Sequence, residues 1–131
     1  MIYVDTSAFL AIVDQDDAYH EKAENFWLGL LEQDELLLIN NYVLVESIAL
    51  IQNRVGLKNV RRMISELLPV IQIEWLGPDQ HEAAINNVLI ANRRNLSLVD
   101  CASFETMRRR RIETVFTFDH HFKEQGFTVI P

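Results

Sequence analysis

Five short strand-like runs, separated by longer stretches of helical period, constrain this chain more than any other feature. The runs are Ile2 to Val4, Leu36 to Ile39, Val70 to Trp75, Glu113 to Phe118 and Phe127 to Ile130. The first two are apolar without a break, the pattern of a strand covered on both faces rather than on one. Thr6, Ser7 and Ala8 lead from the first run into something helical. Ala23, Phe26, Trp27 and Leu30 then recur at helical spacing within 18–31. YVLVESIALIQNRV reads as a helix that Asn40 or Asn41 can cap and Gly56 can end in a left-handed conformation. NVRRMISELL is a further helix, stopped by Pro69. Gly77-Pro78 starts a long one that carries Ala83, Ala84, Val88, Leu89 and Ile90, and VDCASFETMRRRR a shorter one. Asp119 to Gly126 gives one more helical turn. Alternation of this kind predicts an α/β fold: a five-stranded parallel sheet between two helical layers, joined by right-handed crossovers.

At 131 residues, with 49% apolar residues and only four glycines and three prolines, the chain is predicted to be one domain, residues 1–131, around a single core. Cys101 is the only cysteine, which excludes an internal disulfide framework and fits a reducing compartment. The N-terminus has no basic leader, and no segment stays apolar for the roughly 18 residues a membrane span needs, so a cytoplasmic protein is expected. The net charge of −7 argues against broad electrostatic capture of nucleic acid. Arginines are nonetheless clustered at Arg61 and Arg62, Arg93 and Arg94, and Arg108 to Arg111.

Open parallel sheets bind ligands beyond the carboxyl ends of their strands, near the point where strand order reverses. Asp5 ends the first apolar run, and Asp119 ends VFTFDHHF in the same way. Two more acids, Glu46 in NNYVLVESIAL and Asp100 in LSLVDCASF, fall in the first turns of helices that should start at the same edge. Each has an ordinary explanation. Asp100 suits the helix dipole, and Asp119 could cap the helix after its strand. Glu46 resists such a reading, because its helix is apolar nearly all round and a buried unpaired glutamate needs a compensating charge.

Four converging carboxylates repel one another, and a divalent cation resolves the conflict. With only oxygen donors and no Cys or His ligand spacing, the cation is expected to be Mg²⁺ or Mn²⁺ rather than zinc. A hard ion held in an open site by carboxylates suits phosphodiester hydrolysis. No P-loop, dinucleotide glycine fingerprint or Gly-x-Ser-x-Gly elbow is present.

In VDTSAFLA, the helical glutamate of YVLVESIAL, LSLVDCASF and VFTFDHHF, taken in order, the sequence resembles the PIN-domain family, and most closely the VapC-type toxin ribonucleases of toxin–antitoxin pairs. The resemblance implies an α/β/α sandwich and Mg²⁺- or Mn²⁺-dependent cleavage of RNA. It places Asp5, Glu46, Asp100 and Asp119 on the family's acidic positions, and Thr6, Ser7 and Thr117 on its hydroxyl-bearing ones. It also implies a cognate VapB-type antitoxin whose tail crosses the active-site groove, and frequently a homodimer. Cys101 departs from a more usual alanine.

His120 and His121 diverge by about 100° if they share a regular helix, which argues against both facing one ion and favours roles in solvent or against RNA. Phe118 and Phe122 read as core. Four successive arginines at 108–111 encircle a helix end and suit its dipole. The helix around Leu44, Ile48 and Ile51 fits either a subunit interface or the core. The rival readings are a PIN-like module that binds without chemistry, a haloacid-dehalogenase-like phosphatase, which needs an acid where Ser7 stands, and a response-regulator receiver.

Overall fold

The computed structural model describes residues 1–131. The elements alternate as the apolar runs require: β1 (Ile2–Val4), α1 (Thr6–Val13), α2 (His20–Glu32), β2 (Leu37–Asn40), α3 (Asn41–Arg54), α4 (Leu57–Arg62), β3 (Ile71–Glu74), α5 (Pro78–Ala91), α6 (Leu98–Arg110), β4 (Thr114–Phe116), α7 (His121–Glu124) and β5 (Thr128–Ile130). All five strands are parallel, in the order β3-β2-β1-β4-β5. Right-handed crossovers from β1 to β3 place α1 to α4 on one face. The return from β3 to β4, and the step on to β5, place α5, α6 and α7 on the other.

The strands are short, so their packing decides more than their length. β1 lies in the middle, with Tyr3 and Val4 wholly buried, and 29 residues from both layers form one apolar cluster around it. Phe116 faces α2, where Phe26 meets it edge-on at 4.9 Å. On the opposite face Phe104 of α6 packs edge-on against Phe122 of α7 at 5.0 Å, so Phe122 belongs to the core. Leu44 and Ile51 are core residues and Ile48 packs against the core. The most exposed large apolar side chains are on α5, where Leu89 is 71% and Ile90 81% exposed.

Two helix boundaries and the limits of one strand differ from the sequence reading. The segment before Pro69 stays α-helical only to Arg62. It continues through one π turn (Met63–Leu67) and a 3₁₀ turn (Leu68–Val70) that contains the proline, a residue that cannot join a regular i−4 ladder. Gly56 ends α3 with positive φ (+92°, ψ 175°), its N–H donating to the Ile51 carbonyl, and at the same time caps the start of α4. Glu113 and Phe118 lie just outside β4.

Asn40 performs the turn from β2 into α3 without a loop. Its side-chain oxygen accepts from the N–H groups of Tyr42 and Val43, and its amide donates to Thr106 of α6. The residue is fully buried, so removing the side chain orphans two backbone donors and leaves the Thr106 hydroxyl with only its bond to the Ala102 carbonyl. Asn40→Ala is expected to destabilise the fold by about 2 kcal/mol in urea unfolding, the sum of a lost cap and an unsatisfied buried group. Asn40→Asp, which keeps the cap, should lose less. A loss below about 0.5 kcal/mol for Asn40→Ala would contradict this account of the β2–α3 junction.

Candidate active site

The chain leaves β1 toward β2 on one side and later returns to β4 on the other, so the crevice between the carboxyl ends of β1 and β4 is the switch point of the sheet. Asp5 begins there. It is the N-cap of α1, with extended backbone, and its own N–H donates to the carbonyl of Phe116 in β4. Only 4% of the residue is exposed. Oδ2 accepts from the Ser7 N–H at 3.3 Å, the Ser7 hydroxyl at 2.8 Å and the Thr117 hydroxyl at 2.9 Å. Oδ1 accepts no hydrogen bond, yet it is not shut away from solvent. One oxygen anchors the carboxylate, and the other is left toward the open edge.

The remaining acids reach the same edge by different local routes. Asp100 is the third residue of α6 and forms a capping box: it accepts from the Ser97 N–H, while Ser97 Oγ accepts from the Asp100 N–H. Asp119 accepts from the His121 N–H at 2.9 Å and turns the chain into α7. The ordinary explanation therefore holds for Asp100 alongside the site reading, whereas Asp119 precedes the cap of α7, which is His120. Glu46 is the sixth residue of α3, in its second turn rather than its first. It is half-buried, and α3 is not enclosed all round, since Val45 beside it is 65% exposed. Glu46 has the Thr6 hydroxyl as a partner, and Thr6 Oγ1 in turn accepts from Ser47 at 3.3 Å.

These carboxylates act on one another. Burial, above all, raises Asp5 from 3.8 to about 6; the Ser7 and Thr117 hydrogen bonds oppose the rise and the Asp100 charge adds to it. Glu46 is raised by burial first and then by Asp100 and Asp119, against the Thr6 hydrogen bond. Asp100 is raised by burial and by Asp119, against its bonds to Ser97. No lysine or arginine pairs with any of the four. Arg62 is bound to Glu24 and Glu66, Arg93 to Glu124, and Arg109 and Arg110 to Glu74. Arg108 lies over the Phe104 and Phe127 rings, and Arg110 and Arg111 share a cleft with Met1 and Thr114, at the amino edge of the sheet.

The donor set fits a hard dication: all oxygen, negative, and without a counter-charge. No three of the four carboxylates lie within 4.8 Å of one another, an open arrangement that suits an ion keeping part of its water shell. Two side chains near the acids escaped the sequence reading. Ser47 carried no signal, being one hydroxyl in an apolar helix. His121 is not solvent-facing: it is 7% exposed and sits beside Asp119, with Asn95 at 3.3 Å from Nε2. Its Asp-x-His spacing, a local turn pattern, was the available clue.

A fold and a carboxylate edge of this kind define a class. The chain matches the family model described as PIN domain over residues 2–127, and it belongs to that family, whose nucleases use divalent metal ions. Within it, the chain is a homologue of the VapC-type toxin endoribonucleases. It is 30% identical over 131 residues to the 23S rRNA-specific endonuclease VapC20 of Mycobacterium tuberculosis, covering 99% of this chain and 98% of that protein. The crystal structure of M. tuberculosis VapC20, described as a Sarcin-Ricin loop cleaving toxin, matches with a TM-score of 0.86 at 29% identity, over 98% of this chain and 97% of that one. FitAcB from Neisseria gonorrhoeae shares the fold, with a TM-score of 0.69 at 16% identity over 100% of this chain and 97% of that one.

The raised Asp5 has a direct consequence for stability. Unfolded Asp5 ionises near 3.8 and native Asp5 near 6, so between those values the native state holds the extra proton and stability falls as pH rises. In metal-free buffer, Asp5→Asn is expected to be more stable than the parent at pH 7 by roughly 1–3 kcal/mol, with the gap closing toward pH 4. Urea titrations across that range test it. A gap that widens on acidification, or none at pH 7, would contradict the assignment.

Proposed function

We propose that this chain is a Mg²⁺- or Mn²⁺-dependent endoribonuclease and the toxin of a VapBC-type pair acting in the cytoplasm, with Asp5, Glu46, Asp100 and Asp119 holding the metal directly or through water. The observation that carries the proposal is the set of four mutually repelling carboxylates at the switch point, none paired with a lysine or arginine, in a chain aligned end to end with a 23S rRNA-specific endonuclease. When bound, a hard dication lowers the pKa of a water and offsets charge on the phosphodiester.

The chain's own residues supply position. Ser7 and Thr117 fix Asp5 through Oδ2 and leave Oδ1 for the ion. The Thr6 hydroxyl orients Glu46, Ser97 orients Asp100, and the His121 N–H orients Asp119. Phe118 N–H donates to Ser7 Oγ and Asp119 N–H to Thr117 Oγ1, which locks the loop after β4 onto the same hydroxyls. The larger surface clefts lie elsewhere, as between Leu36 and Val70 at the amino edge, so the acids line an open edge that a polymer can lie across. Structured rRNA is the substrate class to assay first, since that is what the VapC20 relative is named for. A VapB-type antitoxin and a homodimer belong to the same reading. The exposed row Ile85, Leu89 and Ile90 on α5 supports a protein partner.

Cleavage of 23S rRNA is expected to require Mg²⁺ or Mn²⁺, to stop in EDTA, and to fall on the order of a hundredfold or more in Asp5→Asn, the several kcal/mol a Lewis-acid ion supplies. Millimolar Mg²⁺ should raise the melting temperature of the parent but not of the variant. Undiminished cleavage in EDTA would refute the mechanism. A folded chain that shows neither cleavage nor a Mg²⁺ shift would be the non-catalytic binding module.

A further inference from the structure

One group of metal-ligating side chains is drawn together more tightly than the four acids. The donor atoms of Asp119, His120 and His121 all lie within 4.8 Å of one another. The sequence argument against two adjacent histidines facing one ion assumed a regular helix. In the structure α7 begins at His121 and His120 is its cap, with near-helical backbone, yet the two rings approach to 4.3 Å at 42°. Asp119 Oδ1 is 3.0 Å from His121 Nδ1 and 3.8 Å from His120 Nδ1. Donor atoms around a tetrahedral zinc with bonds of about 2.0–2.2 Å stand about 3.3–3.5 Å apart, a spacing these two distances bracket.

His121 Nδ1 points independently to a ligand. It is buried and makes no hydrogen bond; the Asp119 carboxylate, 3.0 Å away, is its one polar contact. A nitrogen in that position has lost its water and keeps only that contact in return. The far nitrogens of both rings, by contrast, have partners. His120 Nε2 is 3.5 Å from Glu124 Oε1, and His121 Nε2 is 3.3 Å from the Asn95 amide, which can turn its oxygen or its nitrogen inward. Outer partners of this kind set ring orientation in histidine metal sites. Imidazole donors select zinc, nickel or cobalt over magnesium.

We propose that Asp119, His120 and His121 form a second metal site, for a borderline dication of the zinc class, separate from the carboxylate site and sharing Asp119 with it. Filling it withdraws Asp119 from the acid set. If the nuclease reading holds, zinc therefore acts as an inhibitor that excess Mg²⁺ does not relieve.

The test reads metal binding itself. Metal-stripped full chain, titrated calorimetrically with Zn²⁺ in excess Mg²⁺, should take up one equivalent, and Co²⁺ in its place should give the visible bands of a tetrahedral site. His120→Ala should weaken Zn²⁺ binding on the order of tenfold or more. Its side chain is 73% exposed, so the fold is untouched and this variant decides the matter even if His121→Asn, at a buried position, unfolds. Asp5→Asn should keep the zinc isotherm. No Zn²⁺ uptake in Mg²⁺, an unchanged isotherm in His120→Ala, or loss of it in Asp5→Asn would each overturn the proposal. Because the isotherm needs no RNA, a chain that binds zinc but cuts nothing would fail the nuclease reading alone.

Discussion

The site rests on one unfavourable placement: a carboxylate at the end of the central strand, almost wholly out of water. Parallel pairing on both sides of β1 holds Asp5 there, and Asp5 N–H bonded to Phe116 ties the two strand ends that bound the crevice. Hydrogen bonds from Ser7 and Thr117 offset part of the cost of burial, but Asp100 adds to it, and the balance still favours the protonated acid. Strain of this kind is characteristic of sites whose ligand, once bound, repays stability lost in its absence.

Capping and the proposed ligation fall on the same residues. Asp5, Asp100 and Asp119 each accept a backbone N–H at a helix start, and that local bond is what brings them to the sheet edge. In Asp5 the capping oxygen and the outward oxygen are distinct atoms. Glu46 has no such backbone role; the Thr6 hydroxyl, itself bonded by Ser47, stands in for it. Helix α6 braces the arrangement from the opposite face: Ser103 meets the Tyr3 hydroxyl under β1, Thr106 meets Asn40 at the end of β2, and Arg109 and Arg110 clasp Glu74 at the end of β3. Of the clustered arginines, Arg109 and Arg110 thus fasten α6 to an edge strand.

Much of this was legible because it is local. Apolar runs ending in an acid, a proline in a first turn and an asparagine before a helix each report on a few neighbouring bonds, and β1, α5 and the Asn40 cap followed from them. The parallel order of strands followed from alternation and handedness, which leave few alternatives. Among the apolar residues the sequence placed on α5, it could not tell that Ala84 would be buried while Leu89 and Ile90 stay in water. Burial of a helix face depends on what packs against it, and nothing in the chain covers that one.

The sequence alone determined the type of fold, the identity of the acids and the edge they share, because strand and helix periods are short-range and the carboxyl end of a parallel sheet is a single place. Only the tertiary structure decided how far apart those acids stand, which oxygen of Asp5 is spent on hydroxyls, that Glu46 is half-buried, and that His121 turns inward against Asp119. These depend on contacts between residues up to a hundred or so positions apart, such as Ser7 with Thr117, and on how α7 packs against the sheet, which no periodic rule describes.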